Sequence, residues 1–295
     1  MEKEIEGYEI IRQLGKGTYG VAYLVKKEDK YYVLKDINNV KSKKDIENIK
    51  SEKYVLDIIN CQSPNLLCLK DYKFFESGNI INRAIFIVEY IENIQDLSYK
   101  IINKKEDYDH FSFPEFQKII NGVINGLSIL HGYKILHLDI KPDNILATNN
   151  LDKIYLIDYG LSCILKEDNE YCSSSEMRGS YNYIAPEFLK GKYPNRLSDI
   201  FSLGVLITTL ISYNLTPIFE EEIKKSYYKI DEKERMPFKK YFLNTRFYIE
   251  NHNAIIKVEN MEKLTRPEFH KILPFVHKML SYNNNERPNI TIVTF

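Results

Sequence analysis

The sequence predicts an α+β fold in two lobes, a β-rich N-terminal lobe with one main helix and a larger, mostly helical C-terminal lobe. Three observations predict it. Residues 8–37 alternate short β-rich runs with turns, the pattern of antiparallel strands. Past residue 90 the apolar positions change to helical spacing, over residues 113–133, 199–213 and 267–282. A chain of 295 residues with 44% hydrophobic and 28% charged side chains is globular in composition and long enough for two cores.

The elements follow in order. Residues 8–14, 21–26 and 31–37 read as strands, separated by a Gly-rich turn and by Lys27-Glu-Asp-Lys30. A helix is expected over 42–60, then strands over 66–75 and 84–90. A seam falls near residues 89–93, dividing an N-terminal lobe of 1–90 from a C-terminal lobe of 91–295. Within the second lobe a small hairpin, 145–147 with 153–157, interrupts the helices. Residues 213–263 are charged and give no clear periodicity, and no internal repeat or low-complexity linker is present.

Forty-one basic residues balance forty-one acidic ones, which argues against a polybasic nucleic-acid binder. The 23 Tyr with no Trp point to an AT-rich coding bias rather than to chemistry. Cys61, Cys68, Cys163 and Cys172 form no C-x-x-C pair and no Cys/His set of zinc spacing. The start, MEKEIEGYEI, lacks the apolar stretch of a signal peptide. The most apolar run, 200–211, is broken by Ser202, Gly204, Thr208 and Thr209 and is too short to span a bilayer. The expectation is a soluble protein of a reducing compartment, cytoplasm or nucleus.

Four groups of residues carry chemistry. Gly15-Lys-Gly17-Thr-Tyr-Gly20 lies between two expected strands, and glycines let backbone N–H groups approach phosphates with no Cβ in the way. Such a motif also marks dinucleotide-binding folds, but there a helix follows the glycines, whereas here Val21-Ala-Tyr-Leu-Val25 reads as a strand. Nor does a Gly-Lys-Ser/Thr close it as a Walker A loop. Lys35 ends the apolar strand Tyr31-Tyr-Val-Leu-Lys35, and Glu52 sits on the apolar stripe of the next helix with Ile49, Val55, Leu56 and Ile59. A carboxylate in that position needs a cation; the alternative is two solvated ends. In His137-Leu-Asp139-Ile-Lys141-Pro-Asp-Asn144, Asp139 offers a carboxylate to orient or deprotonate a hydroxyl. Lys141 can reach a transferring phosphoryl group, and Asn144 is a neutral oxygen ligand suited to Mg²⁺. His137 reads as a packed residue that holds the loop. Asp158-Tyr-Gly160 directly follows the apolar run 154–157, where an ordinary turn is the bland reading. Downstream stand Gly179-Ser180, Ala185-Pro-Glu187, Asp199 and Arg287-Pro288.

Together, in this order, the residues resemble the eukaryotic protein kinase family from Tyr8 to about Ile292. The resemblance implies the bilobal protein-kinase fold and a nucleotide site formed by Leu14, Gly15, Lys16, Gly17, Thr18, Tyr19, Gly20, Ala22, Val33, Val88, Glu89, Ile91 and Leu146. By the same resemblance Lys35, paired with Glu52, contacts the α- and β-phosphates, Asp139 is the base, Lys141 assists transfer, and Asn144 and Asp158 hold the metal. Glu187 and Arg287 resemble a buried ion pair under the activation segment, and Asp199 the residue that steadies the catalytic loop. Lys141 with Ser180 resembles the serine/threonine branch. The implied cofactors are ATP and Mg²⁺, with Mn²⁺ as a substitute. The implied partner is a protein offering a Ser or Thr hydroxyl, with neither nucleic acid nor membrane, and a monomer by default.

There are four departures from the family pattern. Leu138 stands where many kinases carry Arg, Tyr159 replaces the Phe of D-F-G, Ala22 and Val33 exchange the usual sizes in the adenine roof, and the chain stops soon after Arg287. Val88 resembles a small gatekeeper. A pseudokinase is the alternative reading; the presence of Lys35, Asp139, Asn144 and Asp158 counts against it. A small-molecule kinase is a third, disfavoured by the segment 158–187 with its Gly179-Ser180 pair. Glu220, Glu221 and Glu222 are either a solvated face or a site for basic residues of a target.

Overall fold

The computed structural model describes residues 3–17, 20–59, 61, 63–78, 80–174, 179–189, 191–217, 220, 228, 231–232, 258–293 and 295. The N-terminal part is built on β1 (Glu4–Ile5), β2 (Tyr8–Lys16), β3 (Val21–Lys27) and β4 (Lys30–Ile37), followed by α1 (Lys43–Ile59), β5 (Leu69–Ser77) and β6 (Ile80–Glu89). The strands form one antiparallel sheet in the order β1-β2-β3-β4-β6-β5. Between β3 and β4, Glu28 and Asp29 both adopt left-handed backbone, at φ 49° and 61°, the two-residue hairpin geometry that matches strand twist. The Asp29 carboxylate meets Lys26 at 2.7 Å.

Helix α1 starts where Ser42 and Asp45 cap each other: the Asp45 N–H donates to Ser42 Oγ at 3.1 Å, and the Ser42 N–H to Asp45 Oδ2 at 2.9 Å. Its buried stripe is Ile49, Glu52, Val55, Leu56 and Ile59, the one predicted from spacing. The strand expected from residue 66 begins instead at Leu69. Leu66 makes only an isolated bridge to Leu156, and the Cys68 N–H is taken by the Glu89 carboxylate at 3.1 Å.

Next come β7 (Ile94–Asp96), α2 (Leu97–Glu106), α3 (Phe113–Gly132), β8 (Ile135–Leu136), β9 (Ile145–Thr148), β10 (Ile154–Leu156) and β11 (Cys163–Ile164). These strands make a three-stranded sheet β10-β9-β7 and a two-stranded one, β11-β8. Helix α3 is closed at its start by a reciprocal Ser112–Glu115 capping box. The chain continues with α4 (Pro186–Leu189), α5 (Arg196–Ile211), α6 (Val258–Leu264) and α7 (Leu273–Met279). The helix expected over 267–282 splits into a 3₁₀ turn, Pro267–Ile272, and α7. Pro274 has no N–H to extend the first piece into the second.

The main apolar core runs from Val55 and Phe86 beside the sheet through α3 and α5 to Met279. A smaller cluster of Leu136, Leu138, Leu165, Cys172, Ile184 and Phe188 lies beside the segment that follows β10. The sequence shows no C-x-x-C pair and suggests a reducing compartment, where disulfides are not expected, yet Cys61–Cys68 and Cys163–Cys172 are bridged, with Cα separations of 4.5 and 6.1 Å. Among the described residues no helix is long and apolar enough to cross a membrane.

Candidate active site

The ion pair expected of Lys35 and Glu52 is formed. Strand β4 delivers Lys35 and the buried stripe of α1 delivers Glu52, with Nζ to Oε1 at 2.7 Å. Lys35 also reaches Asp158 Oδ1 at 3.5 Å. Burial works against the Lys35 ammonium, but the Glu52 and Asp158 carboxylates outweigh it and hold its pKa above the ordinary lysine range. Burial pushes the Glu52 carboxyl up, and Lys35 takes back only part of that. Lys35 holds Asp158 below the usual carboxylate range in spite of burial. Asp158 itself sits at φ 66°, a left-handed position rare for a non-glycine residue and frequent at functional sites.

The loop from β8 to β9 organises Asp139 from both sides. Its Oδ1 accepts from the Ser180 N–H at 2.9 Å and Ser180 Oγ at 3.0 Å. Its Oδ2 accepts from Asn144 Nδ2 and Lys141 Nζ, each at 2.8 Å. Lys141 also donates to Ser180 Oγ at 2.8 Å, which joins the loop to the segment beyond Gly179. Gly179, at φ 91°, is required there: a Cβ would stand 2.5 Å from the Leu138 carbonyl oxygen. Asn144 uses Nδ2 on the Asp139 carboxylate and main chain, which leaves its carbonyl oxygen as the atom it can offer a cation. The Ile157 N–H donates to the Asn144 main-chain carbonyl at 2.9 Å and so ties the loop to the strand end that carries Asp158.

His137 holds this loop, as its neighbourhood in the sequence suggested. Nε2 faces the Ile157 carbonyl at 3.0 Å and Nδ1 accepts the Asp139 N–H at 3.2 Å, so both ring nitrogens are committed to main chain. Asp199, at the start of α5 and fully buried, gathers the other side. Its Oδ2 accepts from the His137 N–H and His131 Nε2, both at 2.9 Å, and its Oδ1 from the Leu138 N–H at 2.8 Å. The Tyr159 ring is buried, packs edge-on to His137 at 5.8 Å, and its hydroxyl donates to the Leu156 carbonyl at 2.6 Å. The extra hydroxyl relative to Phe therefore has a partner.

The Gly-rich loop begins at the end of β2, where Gly15 and Lys16 pair with Ala22 and Val21. The Gly17 N–H donates to the Gly20 carbonyl at 2.9 Å and closes the loop. Thr18 and Tyr19 lie outside the described residues. Gly20 is a packing glycine, since a Cβ would lie 2.0 Å from the Asp36 carbonyl oxygen. Gly15 and Gly17 are different: nothing stands within 4 Å of their absent Cβ atoms.

Strand register puts Ala22 opposite Lys35, Val33 opposite Leu24 and Val88 opposite Val33. These side chains share one face of the sheet. Leu14 is exposed at the loop's start, Glu89 ends β6 with its carboxylate on the Cys68 N–H, Ile91 follows, and Leu146 lies in β9.

Behind the site, Arg287 makes two parallel 2.8 Å bonds to Glu187, from Nη1 to Oε1 and from Nη2 to Oε2. Ser198 Oγ donates to the same Oε1 at 2.6 Å. Leu138, where the family pattern has Arg, is 5% exposed and packs in the cluster with Leu165, Cys172, Ile184 and Phe188.

Two residues escaped the sequence reading. Ser51 Oγ, on α1 beside Glu52, donates to the Ser162 carbonyl at 3.1 Å. The buried Ser162 donates from Oγ to the His137 carbonyl at 3.5 Å. Small hydroxyls without a motif leave no sequence signal. Arg178, Ser175, Glu221 and Glu222 lie outside the described residues. The described Glu220 accepts from Asn182 Nδ2 at 2.8 Å.

A family model described as a protein kinase domain matches residues 8–294. The chain is 31% identical over 206 residues to calcium-dependent protein kinase 22 of Arabidopsis thaliana, covering 68% of this chain and 39% of that protein. It is 28% identical over 280 residues to the human serine/threonine-protein kinase Nek5, covering 94% of this chain and 37% of Nek5. Against serine/threonine-protein kinase Nek6 of Oryza sativa the identity is 31% over 211 residues, covering 71% and 37%. The chain thus spans well under half the length of these three relatives.

Proposed function

The chain belongs to the protein kinase domain family, and on that premise we propose that it transfers the γ-phosphoryl group of ATP to Ser or Thr hydroxyls of protein substrates. The observation that carries the reading is the convergence of the Lys35–Glu52 pair, at 2.7 Å, with Asp158, at 3.5 Å, beside an Asp139 held through both oxygens. A purely structural ion pair has no need of the second carboxylate.

The residues fit the nucleotide and the metal. Open space at Gly15 and Gly17 suits backbone N–H groups that approach phosphate oxygens. Among the described residues no cluster of three or more His, Cys, Asp or Glu forms a metal site of its own. Asn144 offers a neutral side-chain oxygen and Asp158 a carboxylate held ionised by Lys35, hard ligands suited to a cation that completes its shell with phosphate oxygens and water, as Mg²⁺ does. When bound, Mg²⁺ (or Mn²⁺) neutralises phosphate charge.

Lys35 binds the α- and β-phosphates and Glu52 aims it. Asp139 orients the incoming hydroxyl and accepts its proton. Lys141, already beside Asp139 and Ser180, supplies positive charge next to the transferring group. The Lys141–Ser180 contact supports the serine/threonine branch. We take the lobes to divide near residue 90, with the nucleotide between them. A monomer in the cytoplasm or nucleus, with no nucleic-acid or membrane partner, is part of the same proposal.

The test is a peptide-array phosphorylation assay with Mg²⁺-ATP, run beside Asp139→Asn. Wild-type protein should phosphorylate Ser/Thr peptides, and the variant should lose ~10²–10⁴-fold in rate while retaining nucleotide binding. Full turnover by Asp139→Asn would sink the catalytic assignment. A wild type that binds nucleotide and transfers nothing would make the chain a pseudokinase.

A further inference from the structure

The segment after Asp158 is held by three contacts between main-chain groups. Strand β11 pairs with β8, the Leu165 N–H donates to the Lys134 carbonyl at 2.8 Å, and the Cys172 N–H to the Pro194 carbonyl at 2.9 Å. Cys163 and Cys172, nine positions apart, are bridged across this strap. Both belong to the apolar cluster around Leu138.

A cavity of about 170 Å³ opens between Leu138, Cys163, Ile164, Cys172 and Ser173. A small thiol can therefore come alongside the bridge. Cys163 is partly exposed, whereas Cys172 is 4% exposed. Next to Cys163, Ser162 is the residue that ties the segment to α1 through Ser51 and to the catalytic loop through His137.

We propose that Cys163 and Cys172 form a thiol–disulfide modification site, whose co-reactants are low-molecular-mass thiols and disulfides, and that the closed bridge keeps the segment docked over Leu138. Closure runs in two exchanges. The Cys163 thiolate attacks an external disulfide and one external thiolate leaves. The Cys172 thiolate then attacks the Cys163 sulfur of the mixed disulfide and expels the second external thiol. Two protein thiols are oxidised and one external disulfide is reduced to two thiols. Opening is the reverse. An external thiolate attacks the Cys163 sulfur, and Cys172 leaves as thiolate and takes up a proton. A second external thiolate then attacks the external sulfur of the mixed disulfide, so that the external disulfide is released and Cys163 leaves as thiolate and takes up a proton. Cys163 is the entry point because of its exposure, and Cys172 is the resolving residue. Exchange depends on access and on the leaving thiol, and the apolar surroundings of Cys172 slow its departure. The expected behaviour is slow opening. In the bridged structure Lys35–Glu52 and the Asp139 network are assembled, and the proposal is that opening the bridge loosens this arrangement.

The experiment equilibrates the full chain in graded reduced-to-oxidised glutathione, traps thiols by alkylation, and reads the cysteine peptides by mass spectrometry. Limited proteolysis and peptide phosphorylation are run on the same samples. The expected result is a linked Cys163–Cys172 peptide at the oxidised end, opened at the reduced end, with faster cleavage of the opened strap. Cys172→Ser should accumulate a glutathione adduct at Cys163. Phosphorylation should fall about tenfold on opening, in wild type and in Cys61→Ser/Cys68→Ser, but not vary with glutathione ratio in Cys163→Ser/Cys172→Ser.

The activity arm rests on the kinase reading and the other arms do not. If the bridge opens and closes with altered cleavage while no state phosphorylates anything, the kinase reading fails and the site stands. A linked peptide that never forms, or one that persists at the reduced end, overturns the site. Equal cleavage and equal phosphorylation in both states overturn its coupling to the segment.

Discussion

Leu138 carries more of this site's individuality than any residue with a catalytic role. Its backbone is left-handed, at φ 64°, a conformation that costs a non-glycine residue roughly 1–2 kcal/mol. The two bonds from the His137 and Leu138 N–H groups to Asp199 hold that turn in place. An Arg at this position would offer charge-assisted bonds to a phosphorylated segment, whereas Leu138 offers its side chain to Leu165, Cys172, Ile184 and Phe188. The segment is thus docked by burial, and basal activity should not require its phosphorylation. Phosphatase-treated wild type and a Ser173→Ala, Ser174→Ala, Ser175→Ala variant should phosphorylate peptide at comparable rates. Leu138→Arg should lower the rate of unphosphorylated protein by tenfold or more, ~1.4 kcal/mol in barrier, because it puts an unpaired charge into an apolar cluster. A tenfold drop in the serine variant would show that another cation has taken over the missing role.

Among the elements, the strands of the sheet were the most legible and their register supplies what the pattern could not. Alternation located β2, β3 and β4 within a few residues, and the apolar stripe located α1 with Glu52 on it. Helix α2 was missed: Lys100, Lys104 and Lys105 interrupt its spacing, and only Leu97 and Ile101 are buried. The pairing of β8 with β11 was also missed, since strands of two residues are too short to show a period. Both disulfides join residues brought together by the fold, so spacing alone could not pair them.

Register also gives the exchanged Ala22 and Val33 a testable meaning. Ala22 opposes Lys35 and Val33 opposes Leu24, which makes Ala22 and Val33 diagonal neighbours on the face that bears Lys35. Their exchange conserves volume, the kind of change packed sites tolerate best. Ala22→Val alone should crowd the nucleotide and raise the KM for ATP several-fold, and adding Val33→Ala should restore it. Additive effects across that cycle would mean that the two side chains do not share a contact.

At the scale of the whole molecule, long-range polar contacts set the parts against one another. Asn65, in the connection after α1, donates from Nδ2 to the Ile154 carbonyl and accepts the Leu156 N–H, each at 2.9 Å, so the N-terminal part is fastened to β10. The Glu187–Arg287 pair does the same for the C-terminal part across 100 residues of sequence. Besides its two bonds to Glu187, Arg287 donates to the Leu197 carbonyl at 2.9 Å and the Ser281 carbonyl at 2.8 Å, and lies 5.0 Å over the Phe201 ring. That satisfies a guanidinium whose side chain is wholly buried.

Removing one partner leaves an uncompensated buried charge, so Arg287→Ala should cost ~3–5 kcal/mol of stability, read as a lower urea midpoint for the helical signal. Glu187→Met with Arg287→Met should cost less, because neither charge is left behind.

The pair also fixes an acid dependence. Burial pushes the Glu187 carboxyl up, but the Arg287 bonds outweigh it and leave its pKa below the ordinary glutamate range. In the acid range the unfolded chain therefore binds the proton more readily than the folded one, and stability rises with pH there. The contribution is complete above the ordinary glutamate range and is lost as pH falls through the folded value. Urea midpoints measured from pH 6 downward should fall more steeply for wild type than for Glu187→Gln, which has no carboxyl to protonate. Parallel slopes would mean that the Glu187 carboxyl takes up its proton alike in the folded and unfolded chain, so that the Arg287 bonds do not depress its pKa.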